Sequence, residues 1–227
     1  MPRVPKKTVT RRRKARITRN PQRPPKMATS RDLMPNVFKT SLHYRETILL
    51  SSSTLLPTAF NNFSMNSLFD PNRTGTGHQP YGFDQLAAFY GRYYVTGAKM
   101  ICTFSCQTKD TDSTVTGPIL CGVTGRAEST FATQNADNWA EYPNADTVLL
   151  STDETSRQLT SYYTPSLLGW TKQDRANIAN LTSNPPREWL AAPWIFNTGQ
   201  TAATDTICHV HIEFDCEFSY PVALPIS

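Results

Sequence analysis

The side chains best placed to do chemistry stand at the start of the chain. Residues 1–31 contain twelve basic groups, Arg3, Lys6, Lys7, Arg11, Arg12, Arg13, Lys14, Arg16, Arg19, Arg23, Lys26 and Arg31, and no acidic one. Cations at that density neutralise phosphates and release condensed counterions, an attraction blind to base sequence. No aromatic residue precedes Phe38, so base stacking is not available to the segment. A targeting peptide would need an amphipathic helix, which Pro2, Pro5, Pro21, Pro24 and Pro25 interrupt. A solvated tail without a partner is the plainer alternative, although blocks this dense repel themselves unless a polyanion is present. The preferred reading is a disordered arm that binds nucleic acid without sequence choice. Arg11-Arg12-Arg13-Lys14 with Arg16 also fits a nuclear localisation signal, as a basic arm readily does.

Charge divides the chain in two. Of its 23 Lys and Arg, 11 lie beyond residue 31, together with all 18 Asp and Glu, a balance of −7. A strongly cationic segment on an anionic body implies two regions with different partners. The boundaries expected are 1–31 for the arm and 32–227 for a folded domain.

Other residues offer weaker possibilities. His209, His211, Glu213 and Asp215 alternate along one stretch, so they share a polar face that could hold a metal ion; a hydrated or interface surface is preferred. Zinc is disfavoured because only His209 and His211 are closely spaced among the four histidines. Asp110 and Asp112, flanking Thr111, could offer oxygens to a calcium ion between subunits, or form a plain polar loop, the reading preferred here. Cys208 and His209 are adjacent, but in a strand they point to opposite faces and make no nucleophile–base pair. Cys102, Cys106, Cys121, Cys208 and Cys216 are odd in number and never spaced as Cys-x-x-Cys. With no cleavable signal ahead of them they are expected to be reduced thiols. No phosphate-cradling Gly loop, nucleophile elbow or His-Glu-x-x-His motif occurs. The expectation is a chain without catalytic residues, metal or cofactor. No run approaches the eighteen apolar residues of a membrane-spanning helix.

The elements that must carry these residues follow a period of two. From Cys208 to Tyr220 the even positions read Cys208, Val210, Ile212, Phe214, Cys216, Phe218, Tyr220, and the odd positions are polar. The pattern predicts one strand of roughly 40 Å with one buried face. Tyr94, Ala98, Met100, Cys102, Phe104 and Cys106 form a second such face at 92–106. Phe38, Leu42, Tyr44, Ile48 and Leu50 form a third at 37–50, interrupted by Glu46. Further strands are predicted near 58–68, 116–124, 146–151, 157–163 and 189–197, with one short helix at Phe83–Tyr90. Seventeen prolines against ten glycines accord with many turns and few long helices. Eight antiparallel strands joined by long loops predict an all-β, eight-stranded jelly-roll sandwich.

One segment carries a family resemblance. Residues 68–99 read LFDPNRTGTGHQPYGFDQLAAFYGRYYVTGAK. The stretch Phe69-Asp70-Pro71, Gly75-Thr76-Gly77-His78-Gln79-Pro80 and Gly82-Phe83-Asp84-Gln85, followed by Phe89-Tyr90 and Arg92-Tyr93, resembles capsid proteins of small circular Rep-encoding single-stranded DNA (CRESS-DNA) viruses. Beyond these thirty or so residues the likeness is one of layout, a basic arm before a β body. The resemblance implies a jelly-roll subunit that self-assembles, in about sixty copies, into an icosahedral shell around circular single-stranded DNA. It also implies the virion as the protein's location, with the host nucleus visited during assembly. Some RNA viruses share the arm-plus-jelly-roll plan, and a cellular nucleic-acid-binding protein of ribosomal or chromatin type is the other class considered. Gly75, Gly77, Gly82, Pro71 and Pro80 specify a rigid turn, and Asp70 and Asp84 are candidates to brace it or to meet a neighbouring subunit.

Overall fold

The computed structural model describes residues 34–52, 58–106, 118–127, 136–151, 155–171, 177–197 and 204–222. The arm and the Asp110/Asp112 loop lie outside them. Among these residues ten strands run β1 Val37–Ser52, β2 Thr58–Phe60, β3 Phe63–Ser64, β4 Tyr90–Cys106, β5 Ile119–Arg126, β6 Ala145–Leu150, β7 Arg157–Tyr163, β8 Ala179–Asn180, β9 Leu190–Asn197 and β10 Thr204–Pro221. Two short helices, α1 Phe83–Ala87 and α2 Ala136–Ala140, and a 3-10 turn at Pro165–Leu168 lie between them.

The strands form two antiparallel sheets. One has the order β1-β10-β4-β7, with β8 also on β4; the other has the order β2-β9-β5-β6, with β3 also on β9. Leaving aside the two-residue β3 and β8, each of the eight principal strands pairs with its mirror in chain order: β1 with β10, β2 with β9, β4 with β7 and β5 with β6. That nesting is a long antiparallel hairpin rolled up on itself, the jelly-roll topology. β10 is the spine, pairing with β1 from Thr204↔Ser52 to Ser219↔Val37 and with β4 on its other side.

The core lies between the sheets. Leu42, Tyr44, Ile48 and Leu50 of β1, Met100, Cys102 and Phe104 of β4, and Cys208 to Phe218 at even positions of β10 meet Ile119, Cys121, Val123, Leu150 and Ile195 from the other sheet. β9 is buried on both faces, which explains its continuous apolar run. Ala191 and Ile195 enter the main core, while Leu190, Ala192 and Trp194 join Trp139 of α2 in a second cluster on the opposite side.

Four expectations need correction. Tyr94 does not share the face of Met100. The β4–β10 register shifts between Asp215 and Cys216, which pair with Gly97 and Val95, leaving Thr96 as the extra residue. One inserted residue reverses side-chain phase, so Tyr93 and Val95 face the core and Tyr94 pairs with Glu217 on the outer face. Tyr220 is 60% exposed rather than buried, because its φ of 61° turns it off the strand's alternation. The predicted strand at 58–68 is two short strands, the chain bending at Asn61 and Asn62. The helix stops at Ala87 and not at Tyr90, which already belongs to β4.

Candidate nucleic-acid interface and outer polar face

The described chain begins at Met34, so the twelve basic residues from Arg3 to Arg31 lie outside it. What is described is the corner from which that segment leaves. β1 starts at Val37, paired with Ser219, and Ser219 is also paired with Arg92. Phe38 stacks on Tyr90 with ring centroids 6.2 Å apart, and the Tyr90 hydroxyl donates to the Pro35 carbonyl at 3.2 Å. The Arg92 guanidinium lies 4.5 Å from the centre of the exposed Tyr220 ring. Lys39 pairs with Glu217 at 2.7 Å while its own side chain stays largely in water. Sequence reading did not find this aromatic and cationic corner. Its members come from β1, β4 and β10, and the turn at Tyr220 has no signature in residue order.

The odd positions of β10 do form an outer polar face. His209 and Asp215 are exposed, and His211 and Glu213 half-exposed. They do not gather at one point. His209 Nδ1 is 2.9 Å from the Thr47 hydroxyl, and Asp215 accepts from the Ser41 hydroxyl at 2.7 Å. His211 instead meets His43 of β1, with Nε2 3.3 Å from His43 Nδ1. Desolvation, and after it the positive charge of Arg45, holds the His211 imidazole below the usual histidine range. Cys208 is buried and His209 exposed, so these neighbours do face opposite ways. Cys102, Cys121, Cys208 and Cys216 are buried, and burial raises the Cys102 and Cys216 thiols, the latter to about 12. Thiols so shifted are poor nucleophiles at neutral pH.

The glycine-rich segment works as a brace. The Tyr44 hydroxyl donates to the Glu46 carboxylate, which also accepts from Asn72 Nδ2 at 2.8 Å. Burial first, and Glu46 second, raise the Tyr44 hydroxyl's pKa. His78 stacks on the Tyr44 ring at 4.6 Å. Glu46, the one break in β1's inner alternation, is thus the anchor for the loop that crosses it. Asp70 pairs with Arg73 at 2.9 Å, and Arg73 with Glu188 at 3.3 Å. Burial, partly offset by Arg73, raises the Glu188 pKa. Asp84 sits in the first turn of α1, whose cap, Gly82, has a φ of 92°. Gly77 is required for a different reason: a Cβ there would lie 2.6 Å from Asn72 Cβ and 2.8 Å from the Tyr44 hydroxyl. Gly77→Ala is expected to cost about 1–3 kcal/mol by overpacking, read as a lower urea midpoint with an unchanged slope.

No protein-family model matches the chain, and no curated protein matches it. Solved structures similar to it include a 60-mer of BFDV capsid protein, at 13% identity and a TM-score of 0.46, covering 84% of this chain and 97% of that one. Another is the semi-empty particle of the giant freshwater prawn Macrobrachium rosenbergii nodavirus, at 9% identity and a TM-score of 0.49, covering 84% and 97%. A third is Cocksfoot mottle virus, at 11% identity and a TM-score of 0.47, covering 82% and 97%. By its own strand order and pairing, this chain is an eight-stranded jelly-roll sandwich.

Proposed function

We propose that this chain is a viral coat protein that self-assembles into a small icosahedral shell and packages single-stranded DNA through residues 1–31. The observation that carries the reading is the junction of two parts. An acid-free segment with twelve cations runs into β1 of a jelly roll whose side of the chain has a balance of −7. A basic arm supplies phosphate neutralisation, and an anionic wall stays off the nucleic acid, which suits a container. Closed symmetry multiplies weak repeated contacts between identical subunits. In a shell of about sixty copies the arms would bring roughly 720 positive charges against one negative charge per nucleotide. The similarity of residues 68–99 to coat proteins of CRESS-DNA viruses favours DNA as the genome. The cluster Arg11-Arg12-Arg13-Lys14 supports passage through the host nucleus during assembly. The role is structural and not catalytic.

Electron microscopy and sedimentation of the purified chain, read with the ratio of absorbance at 260 and 280 nm, test the proposal. Uniform closed particles with a high ratio, whose nucleic acid resists RNase and yields to DNase after disassembly, are expected. A monomer free of nucleic acid across a range of salt and pH would overturn it.

A further inference from the structure

On the outer face of the β1-β10-β4-β7 sheet, His43, His211 and Glu213 each offer a ligand atom, and these atoms all lie within 4.8 Å of one another. Among the described residues no other group of three metal-ligating side chains comes together in this way. Strand register explains the meeting. His43 stands directly opposite Glu213 across β1 and β10, and His211 is the next residue along that face of β10. Residues 168 positions apart in the chain are thereby brought to neighbouring sites on one rigid surface.

We infer that these three side chains form a site for a zinc-class divalent ion that ties β1 to β10. The distance between the imidazoles supports it. Zn–N bonds of about 2.0–2.1 Å at tetrahedral angles place two ligand nitrogens roughly 3.3–3.4 Å apart. His43 Nδ1 and His211 Nε2 are 3.3 Å apart, with the two rings tilted at 35°. In the metal-free protein a single shared proton accounts for that contact, one imidazole donating to the other. Binding exchanges the shared proton's position for the ion by a change of tautomer, and both rings stay neutral. The Glu213 side chain is half-exposed, so rotation about its side-chain bonds closes its oxygen onto the ion. Two imidazoles and a carboxylate select zinc, copper or nickel over calcium and magnesium, which take oxygen ligands. The fourth position is left to water.

The surrounding charges set the strength. Arg45 of β1 pairs in register with His211, and Lys99 of β4 with Glu213; both oppose a cation. Micromolar binding is therefore expected, weaker than a closed four-ligand site. His209, two residues away, is engaged with Thr47 and takes no part.

The test uses the full chain titrated with Zn2+ by calorimetry and with Co2+ by visible absorption, where a tetrahedral site gives an intense d–d band. One equivalent per chain is expected, with the band. His43→Ala and His211→Ala should each weaken binding by roughly tenfold or more, and Glu213→Gln should weaken it less. His209→Ala should leave it unchanged, which separates this site from general histidine binding on the surface. His43→Gln and His211→Gln, which preserve side-chain size, replace the alanine variants if circular dichroism shows those to be unfolded. Wild-type binding equal to that of the double histidine variant, or an equal loss in His209→Ala, would overturn the inference.

Discussion

Removal of residues 1–31 is expected to lower affinity for single-stranded DNA by at least about 100-fold at physiological salt, while the sandwich stays folded. The segment carries twelve of the chain's 23 basic residues, and what remains has a balance of −7. For the full chain, the logarithm of affinity should fall with the logarithm of salt concentration with a slope reaching roughly −8 if all twelve charges meet phosphates. Charge-neutral replacement of Arg11, Arg12, Arg13 and Lys14 should reduce that slope by roughly 3 and weaken binding alike for all base sequences. Among the described residues the core is closed without the segment, β1 beginning at Val37 and pairing along its length with β10. Far-UV circular dichroism should therefore retain the β signature. Filter binding or fluorescence anisotropy across a salt series measures both quantities. A truncated chain that binds with unchanged affinity and slope would place the interaction on the folded body, with the Arg92–Tyr220 corner the first surface to mutate.

Gly122→Ala should destabilise the folded subunit by about 3 kcal/mol, at the upper end of what overpacking costs. Gly122 of β5 is paired directly with Trp194 of β9. A Cβ on Gly122 would lie 2.8 Å from the indole Nε1 and closer still to Cε2 and Cζ2. Trp194 has nowhere to retreat. Its Nε1 donates to the Thr124 hydroxyl at 2.9 Å, that hydroxyl donates to the Trp139 carbonyl at 3.1 Å, and the Trp139 ring abuts it edge-on at 6.0 Å. Both tryptophans are fully buried. The melting temperature of the unassembled subunit should fall by about 6–12 °C for a chain of this size. Pairing Gly122→Ala with Trp194→Phe should recover part of the loss, giving a coupling of about 1 kcal/mol or more in a double-mutant cycle. Strict additivity would show that the glycine serves the backbone and not the indole.

The two substitutions in glycine positions, at 77 and 122, differ in how visible their reason was. Gly77 belongs to a run dense in glycine and proline, so a tight turn there is legible from residue types alone. Its contact with Tyr44, however, depends on the loop folding back over β1. Gly122 sits in the middle of a strand with no turn signal around it. Only the pairing with Trp194 explains why a side chain is missing there, and that partner lies 72 positions further along the chain.

The sequence by itself determined the long strands, the charge division and the turns marked by glycine and proline, because these are written in residues close together along the chain. Alternation along a strand is local, so β7 falls on residues 157–163 as predicted and the even positions of β10 are buried from Cys208 to Phe218. Eight runs of that kind also limited the architecture to a two-layer sandwich or barrel. Tertiary structure alone decided which strand lies beside which and in what phase. The extra residue at Thr96 turns Tyr94 outward, a change set by how β4 fits against β10 and invisible in β4's own residues. The meeting of His43 with His211 is of the same kind. Along the chain His43 stands alone and His211 has only His209 near it, and His43 and His211 become a pair only because the first long strand closes against the last. Long-range register is set by the packing of the whole core, through buried faces that must all point inward together, and no window of sequence contains that constraint.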